Sequence, residues 1–307
     1  MIRKLMSSVP VMSRGSALSV LTGMALFAGS CATRPPSVKV GSKDFTEELV
    51  LGELYAIALE HAGYSVERHL NLGATPIAME AMQRGDIDLY PEYTGTGLVV
   101  QLKRPPMSDP SKVFDAVKAA YEAQYAMTWL APARMNDSQA LAITSAFAQK
   151  SGLRTLSQCA RLAPHLRLGA GVEFLQRPDG LPGLQRAYGG FHFADVKVTA
   201  LGLKYKALLA GQVDVALAFA TDGEIDADKL VVLADDRKFF PPYQVAPVVR
   251  LDALKRFPNI APALDPIAPL LTDPAMRRMN WRVDGNGEDP ADVARDFFMR
   301  VVLSPSR

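Results

Sequence analysis

Two stretches of this chain echo one another. Residues 78–97 read AMEAMQRGDIDLYPEYTGTG, and residues 204–223 read KYKALLAGQVDVALAFATDG. Each runs through a helix-like segment, a glycine, a strand, an aromatic and a Thr/Gly turn. Tyr93 lies eight residues after Gly85, and Phe219 lies eight residues after Gly211. Asp88 and Asp214 each stand third after the glycine. A unit used twice predicts two equivalent α/β lobes, and 307 residues suit two lobes. In open α/β sheets ligands sit outside the carboxyl ends of the strands. Two lobes facing each other would form a cleft with Tyr93 on one wall and Phe219 on the other.

The flanking segments alternate in the same way. VKVGS reads as a strand, and TEELVLGELYAIALEHAG as a helix with Thr46 as candidate cap and Gly63 as stop. YSVERHLNLG reads as a strand, PIAMEAMQRG as a helix with Pro76 in its first turn, and DIDLY as a strand. Such alternation predicts an α/β sheet with crossovers. The C-terminal part, about 251–303, reads as helical and returns to cover the first lobe. The expected division is 38–136 plus 245–307 for lobe 1 and 137–244 for lobe 2. The crossings fall near LAPARMND and FFPPYQVAP, where Pro241 and Pro242 suit a stiff connector.

Residues 1–30 are of another kind. Arg3, Lys4 and Arg14 precede an apolar stretch from Ala17 to Ala28, then AGS and Cys31. This reads as an export signal, too short for a membrane span. AGS before a cysteine resembles a bacterial lipoprotein signal, with Ala28 where leucine is usual. The expectation is a lipidated Cys31, a tether over 31–37 and an exported, membrane-anchored periplasmic protein. Cleavage before Cys31 would remove Arg3, Lys4 and Arg14 and turn the net charge from +2 to −1. A charge so near neutral gives no reason to expect nucleic acid as a partner. Cys159 would be left without a partner, as a small residue on a buried helix face, so no disulfide framework is expected.

No constellation for turnover is apparent. His61, His69, His165 and His192 lie at no metal-ligand spacing, and no phosphate loop, nucleophile elbow or dinucleotide fingerprint is present. Neither a cofactor nor a metal is expected, and binding chemistry remains. A cation without N–H donors can be held only by the negative faces of aromatic rings. Tyr93, Phe219 and Tyr243 are the candidates, each also readable as a core ring. An anionic end of the same ligand would need donors. Lys43 stands before a helix N-terminus, Thr94 and Thr96 carry hydroxyls in a turn, and Arg177 has a planar fork suited to a carboxylate. Glu173 could pair with Arg177 four residues on if GVEFLQRPDG is helical.

Four segments in order, VGSKDFTEELVLGELYAIALEHAGY, LNLGATPIAMEAMQRGDIDLYPEYTGTG, GVEFLQRPDGLPGLQRAYG and ALAFATDGEI, resemble the glycine betaine/choline/carnitine-binding proteins of ABC importers. The resemblance covers roughly residues 38–305. It implies the two-lobed periplasmic binding protein fold, type II, closing on its ligand by hinge motion. It implies a tyrosine cage for a trimethylammonium group, with Tyr93 and Tyr243 as members. Lys43, Thr96, Glu173 and Arg177 would contact or organise a carboxylate, with Thr94 close by. It also implies an ABC permease and ATPase as partners. Two cage positions depart from the family pattern: Gln139 and Phe219 stand where tyrosines are usual. Phe219 keeps the ring face, and Gln139 loses it. The cage is therefore weakened, or adapted to another polar solute. Two other readings are a sensor of the same fold that delivers nothing to a permease, and an enzyme built on it.

Overall fold

The computed structural model describes residues 36–304. Cys31, the expected leader and most of the expected tether lie outside the described residues. Among the described residues ten strands form two sheets. They are β1 (Val38–Gly41), β2 (Val66–His69), β3 (Leu89–Tyr93), β4 (Met127–Trp129), β5 (Gln139–Ile143), β6 (Arg167–Ala170), β7 (Asp195–Val198), β8 (Val215–Phe219), β9 (Val231–Val232) and β10 (Val245–Arg250).

The two sheets share one topology. The first has the order β2-β1-β3-β10-β4, and the second β7-β6-β8-β5-β9. In each, the central strand pairs parallel on one side (β3 with β1, β8 with β6) and antiparallel on the other (β3 with β10, β8 with β5). The repeated aspartates do the same work in both. Asp88 accepts from the Lys39 amide at 3.0 Å, and Asp214 from the Arg167 amide at 2.9 Å, one strand over. Each also donates its own amide back to that residue's carbonyl, at 2.8 and 2.9 Å. These carboxylates lock the parallel register of the central strand, and the aromatic then emerges at its carboxyl end.

The central strand of the first sheet outruns its expected length. DIDLY was to end before Pro91, yet β3 continues to Tyr93. Pro91 lies directly opposite Pro247 of β10. Pro247 turns its carbonyl outward to the Leu130 amide at 2.9 Å. Two prolines facing each other at such a non-hydrogen-bonded pair cost the β3–β10 ladder nothing, and the one bond forgone is the return from Pro247 to Leu130.

The helix Thr46–His61 is buried along nearly its whole length, with Val50, Leu51, Leu54, Tyr55 and Leu59 inside. It packs between the first sheet and the C-terminal helices Asp273–Asp284 and Pro290–Phe297. Thr46 is not its cap. Phe45 holds that position without a side-chain bond, and the Thr46 hydroxyl donates to Asp284 at 2.6 Å. The hydroxyl lies one residue inside the helix and finds a neighbouring helix instead. Cys159 is fully buried on the helix Leu156–Leu162, and burial pushes its thiol up to about 12.

The chain passes from the first sheet to the second between β4 and β5 and returns between β9 and β10. The passages touch through a bridge between Asn136 and Gln244. There the Tyr243 amide donates to Asn136 Oδ1 at 2.6 Å, and the Asp137 amide to the Tyr243 carbonyl at 3.1 Å. Among the described residues no helix is long and apolar enough to cross a membrane.

Candidate ligand-binding site

A cavity of about 390 Å3 lies at the carboxyl ends of β6, β7 and β8. Four of the expected residues line it: Gln139, Glu173, Arg177 and Phe219. Gln139 opens β5 and Phe219 closes β8, directly opposite in the antiparallel pair, so both side chains share one face.

Arg177 is seated by a residue that sequence reasoning passed over. Its Nε and Nη2 donate to Asp179 at 2.9 and 2.6 Å, a bidentate pair. The expected Glu173–Arg177 pair does not form. The helix Val172–Gln176 stops before Arg177, whose extended backbone (φ −69°, ψ 143°) swings the guanidinium toward Asp179 and leaves Glu173 exposed. Burial disfavours the Arg177 charge, but the bonds and charge of Asp179 more than offset it, and the guanidinium is held above its ordinary range. Nη2 also reaches Thr96 Oγ1 at 3.4 Å, and Nη1 makes no hydrogen bond among the described residues.

Asp179 is completely buried and gathers the site. It accepts from the Tyr243 hydroxyl at 2.5 Å and from Gln139 Nε2 at 3.4 Å, while Gln139 Nε2 also donates to the Tyr243 oxygen at 3.0 Å. Its only mark in the sequence is Pro-Asp-Gly, which reads as a plain turn.

Tyr93 and Tyr243 are 4% and 2% exposed and do not line the cavity. The Tyr93 hydroxyl donates to Glu47 at 2.7 Å, and its ring stacks on Phe45 with centroids 6.2 Å apart. Thr94 Oγ1 is spent on the backbone, donating to the Pro242 carbonyl at 3.1 Å and accepting from the Gln244 amide at 3.2 Å. Lys43 is buried, with its ammonium on Glu92 at 2.7 Å and 3.5 Å from Glu48. Burial opposes its charge, but these two carboxylates outweigh burial and raise its pKa. Glu92 also accepts from Thr75 and Tyr90, both at 3.0 Å, which makes it a structural hub.

Two of the three candidate rings carry a lysine of this chain. Lys43 Nζ lies 4.6 Å from the Tyr93 centroid, and Lys204 Nζ lies 4.6 Å from the Phe219 centroid. Lys204 is in turn paired with Asp222 at 2.7 Å. Sequence reasoning missed Lys204, one of two lysines in the first turn of the helix Lys204–Leu209. The site can therefore offer a carboxamide, one ring, an unspent guanidinium edge and an exposed carboxylate.

Residues 36–300 match the family described as the substrate binding domain of ABC-type glycine betaine transport systems, OpuAC. The chain belongs to this family. A glycine-betaine-binding protein of Pseudomonas aeruginosa is 37% identical over 285 residues, covering 89% of this chain and 90% of that protein. The ergothioneine transport permease/binding protein EgtU of Helicobacter pylori is 32% identical over 86% of this chain. The chain spans about half of that longer relative, 47%. A crystal structure described as a glycine betaine/carnitine/choline ABC transporter superimposes with a TM-score of 0.75 at 31% identity, covering 86% of this chain and 98% of that one. With its two mixed sheets the chain has the type II periplasmic binding protein fold. Members of this OpuAC family are solute-binding components of transport systems.

Proposed function

We propose that this protein captures a quaternary-amine or zwitterionic solute of the glycine betaine, choline or carnitine type outside the cytoplasm and delivers it to an ABC permease and ATPase. The observation that carries the reading is the convergence of Gln139, Arg177 and Phe219 on one cavity in a chain of this family. Phe219 supplies a ring face, and Arg177 a hydrogen-bonding edge for a carboxylate. Tyr93, with Lys43 and Thr96, would join from the other wall as the lobes 38–136 plus 245–307 and 137–244 close, while Tyr243 belongs to the second lobe, bonded to Gln139 and Asp179. Glu173 would offset the cationic head. The solute leaves chemically unchanged, since binding and release are the whole task. Export and lipidation at Cys31 would hold the protein at the membrane.

Calorimetric titration with glycine betaine, choline, carnitine and ergothioneine tests the reading, the last because of the Helicobacter pylori relative. Heat and saturation with at least one are expected, weakly for glycine betaine because Gln139 lacks a ring. No binding of any of the four would sink it. For the anchor, Cys31→Ala should abolish acyl labelling and release the protein in soluble form, and unchanged membrane fractionation would refute lipidation.

A further inference from the structure

Gln139 stands where a ring is usual, and its amide is locked in one orientation. The single hydroxyl hydrogen of Tyr243 goes to Asp179 at 2.5 Å, so the Tyr243 oxygen can only accept. Asp179, bonded twice by the Arg177 guanidinium, is an acceptor as well. Gln139 therefore turns Nε2 toward both, 3.0 Å from the Tyr243 oxygen and 3.4 Å from Asp179. A flipped amide would set its carbonyl oxygen against two acceptors. The lock leaves Oε1 to face elsewhere, and it makes no hydrogen bond among the described residues. The residue is 5% exposed, yet Oε1 is not fully enclosed, and the side chain lines the cavity. Phe219 lies directly opposite Gln139 in the pairing of β5 with β8 and lines the same cavity. Cross-strand neighbours stand about 5 Å apart at Cβ, so a cationic head against the Phe219 ring is within reach of Oε1. Glu173, the other exposed oxygen group on the lining, also accepts.

We propose that Gln139 is a specificity-determining residue that selects a solute whose cationic head carries at least one N–H, an incompletely methylated amine, over a trimethylammonium. The assignment rests on the reading of the cavity as the solute site. A trimethylammonium group has no hydrogen to donate to Oε1, so seating it takes water from the carbonyl and returns no bond. A protonated amine makes a charge-assisted hydrogen bond there. The exchange forgoes one buried methyl, worth about fourfold in affinity. A hydrogen bond from a charged group is worth roughly tenfold or more, so the bond decides.

Calorimetric titration of the full-length protein with two matched pairs tests the assignment. The pairs are N,N-dimethylglycine against glycine betaine, and N,N-dimethylethanolamine against choline. Within each pair one methyl is exchanged for one N–H. The N–H member should bind roughly threefold or more tighter in both pairs. Gln139→Met keeps the length of the side chain and removes the carbonyl. It should reverse the preference and leave the methylated member about fourfold tighter. The lost Nε2 bonds weigh on both members alike, so the ratio within a pair reads the carbonyl alone. A melting curve shows whether the variant folds, and the ratios of the parent protein decide the matter if it does not. Glycine betaine and choline binding as tightly as their N–H partners would overturn the assignment and leave the quaternary-amine reading intact. An N–H preference that survives Gln139→Met would overturn it too, and would move the selection to Glu173. Binding of none of the four would refute the assignment together with the reading on which it rests.

Discussion

Asp179 shows how much one side chain carries. It is fully buried and balances Arg177 while accepting from Tyr243 and Gln139. Removing one partner of a buried pair strands the other charge, at a cost of about 3 kcal/mol or more. Asp179→Ala should lower the urea stability by that amount, and Asp179→Asn by less, because the amide keeps the shape and some of the bonds. Arg177→Ala strands Asp179 in the same way, so its effect on ligand must be read as a ratio. Glycine betaine should lose on the order of 2–4 kcal/mol more than choline, which has no carboxylate. Equal losses for both ligands in titration would assign Arg177 to the fold alone. Lys204 poses the complementary question, because its ammonium already sits 4.6 Å from the Phe219 ring. The variant Lys204→Met with Asp222→Asn removes ammonium and carboxylate together, and choline should then bind a few-fold tighter. The neutral isostere 3,3-dimethylbutanol should not respond, and no change for either would show that Lys204 leaves the ligand face untouched.

At the scale of elements, two close approaches position the site. A Cβ on Gly180 would lie 2.1 Å from the Phe174 carbonyl, inside the turn that joins the helices Val172–Gln176 and Leu181–Tyr188. That contact is with backbone and cannot give way cheaply, so Gly180→Ala should cost about 1–3 kcal/mol and displace Asp179 and Arg177 with it. Thermal melting together with lost solute binding would register both effects, and a variant with unchanged melting would contradict the packing. A Cβ on Gly95 would lie 2.7 Å from the Tyr243 ring, so the turn after β3 needs glycine for that ring to lie against it.

At the scale of the molecule, buried acids sit where the two sheets' units meet. Glu47 accepts from Tyr93 at 2.7 Å and from Asn280 at 2.9 Å, while Asn280 also donates to the Thr221 carbonyl at 2.9 Å. Asp137, in the crossing segment, accepts from the Thr221 hydroxyl at 2.6 Å. Burial drives the Glu47 carboxyl up from 4.5 to about 7, and burial with the charge of Glu47 drives Asp137 up as well. Burial likewise lifts Glu48 to about 8. A folded state that keeps a proton the unfolded state has lost is stabilised at low pH. That contribution is full below about pH 4.5 and is lost as pH rises through about 7. Melting temperature should therefore fall between pH 5 and 8, with a shallower fall in Glu47→Gln. A steeper or equal slope in that variant would show that Glu47 does not titrate there. Solute binding should also draw the lobes together about the paired crossings, as in hinge closure. Small-angle scattering with and without saturating solute should record compaction, and identical profiles with confirmed binding would mean a preformed closed pocket.

The two-unit α/β architecture was legible in the sequence because the repeat carries its own register device. Asp88 and Asp214 stand at the same offset from a helix-ending glycine and bond equivalent neighbouring strands, β1 and β6, so local spacing alone implied equivalent sheets. Family resemblance was legible for a similar reason, since its motifs are contiguous runs at strand ends. The partners of the site residues were not legible. Arg177 had an apparent partner four residues back, but the helix ends one residue too soon, and Asp179 takes it instead. Tyr93 and Phe219 read as free ring faces, yet each meets a lysine distant in sequence, Lys43 or Lys204. Pattern along the chain determines which faces are buried and where strands end. Only the tertiary structure decides which buried charges pair, because that depends on distances between segments brought together by folding.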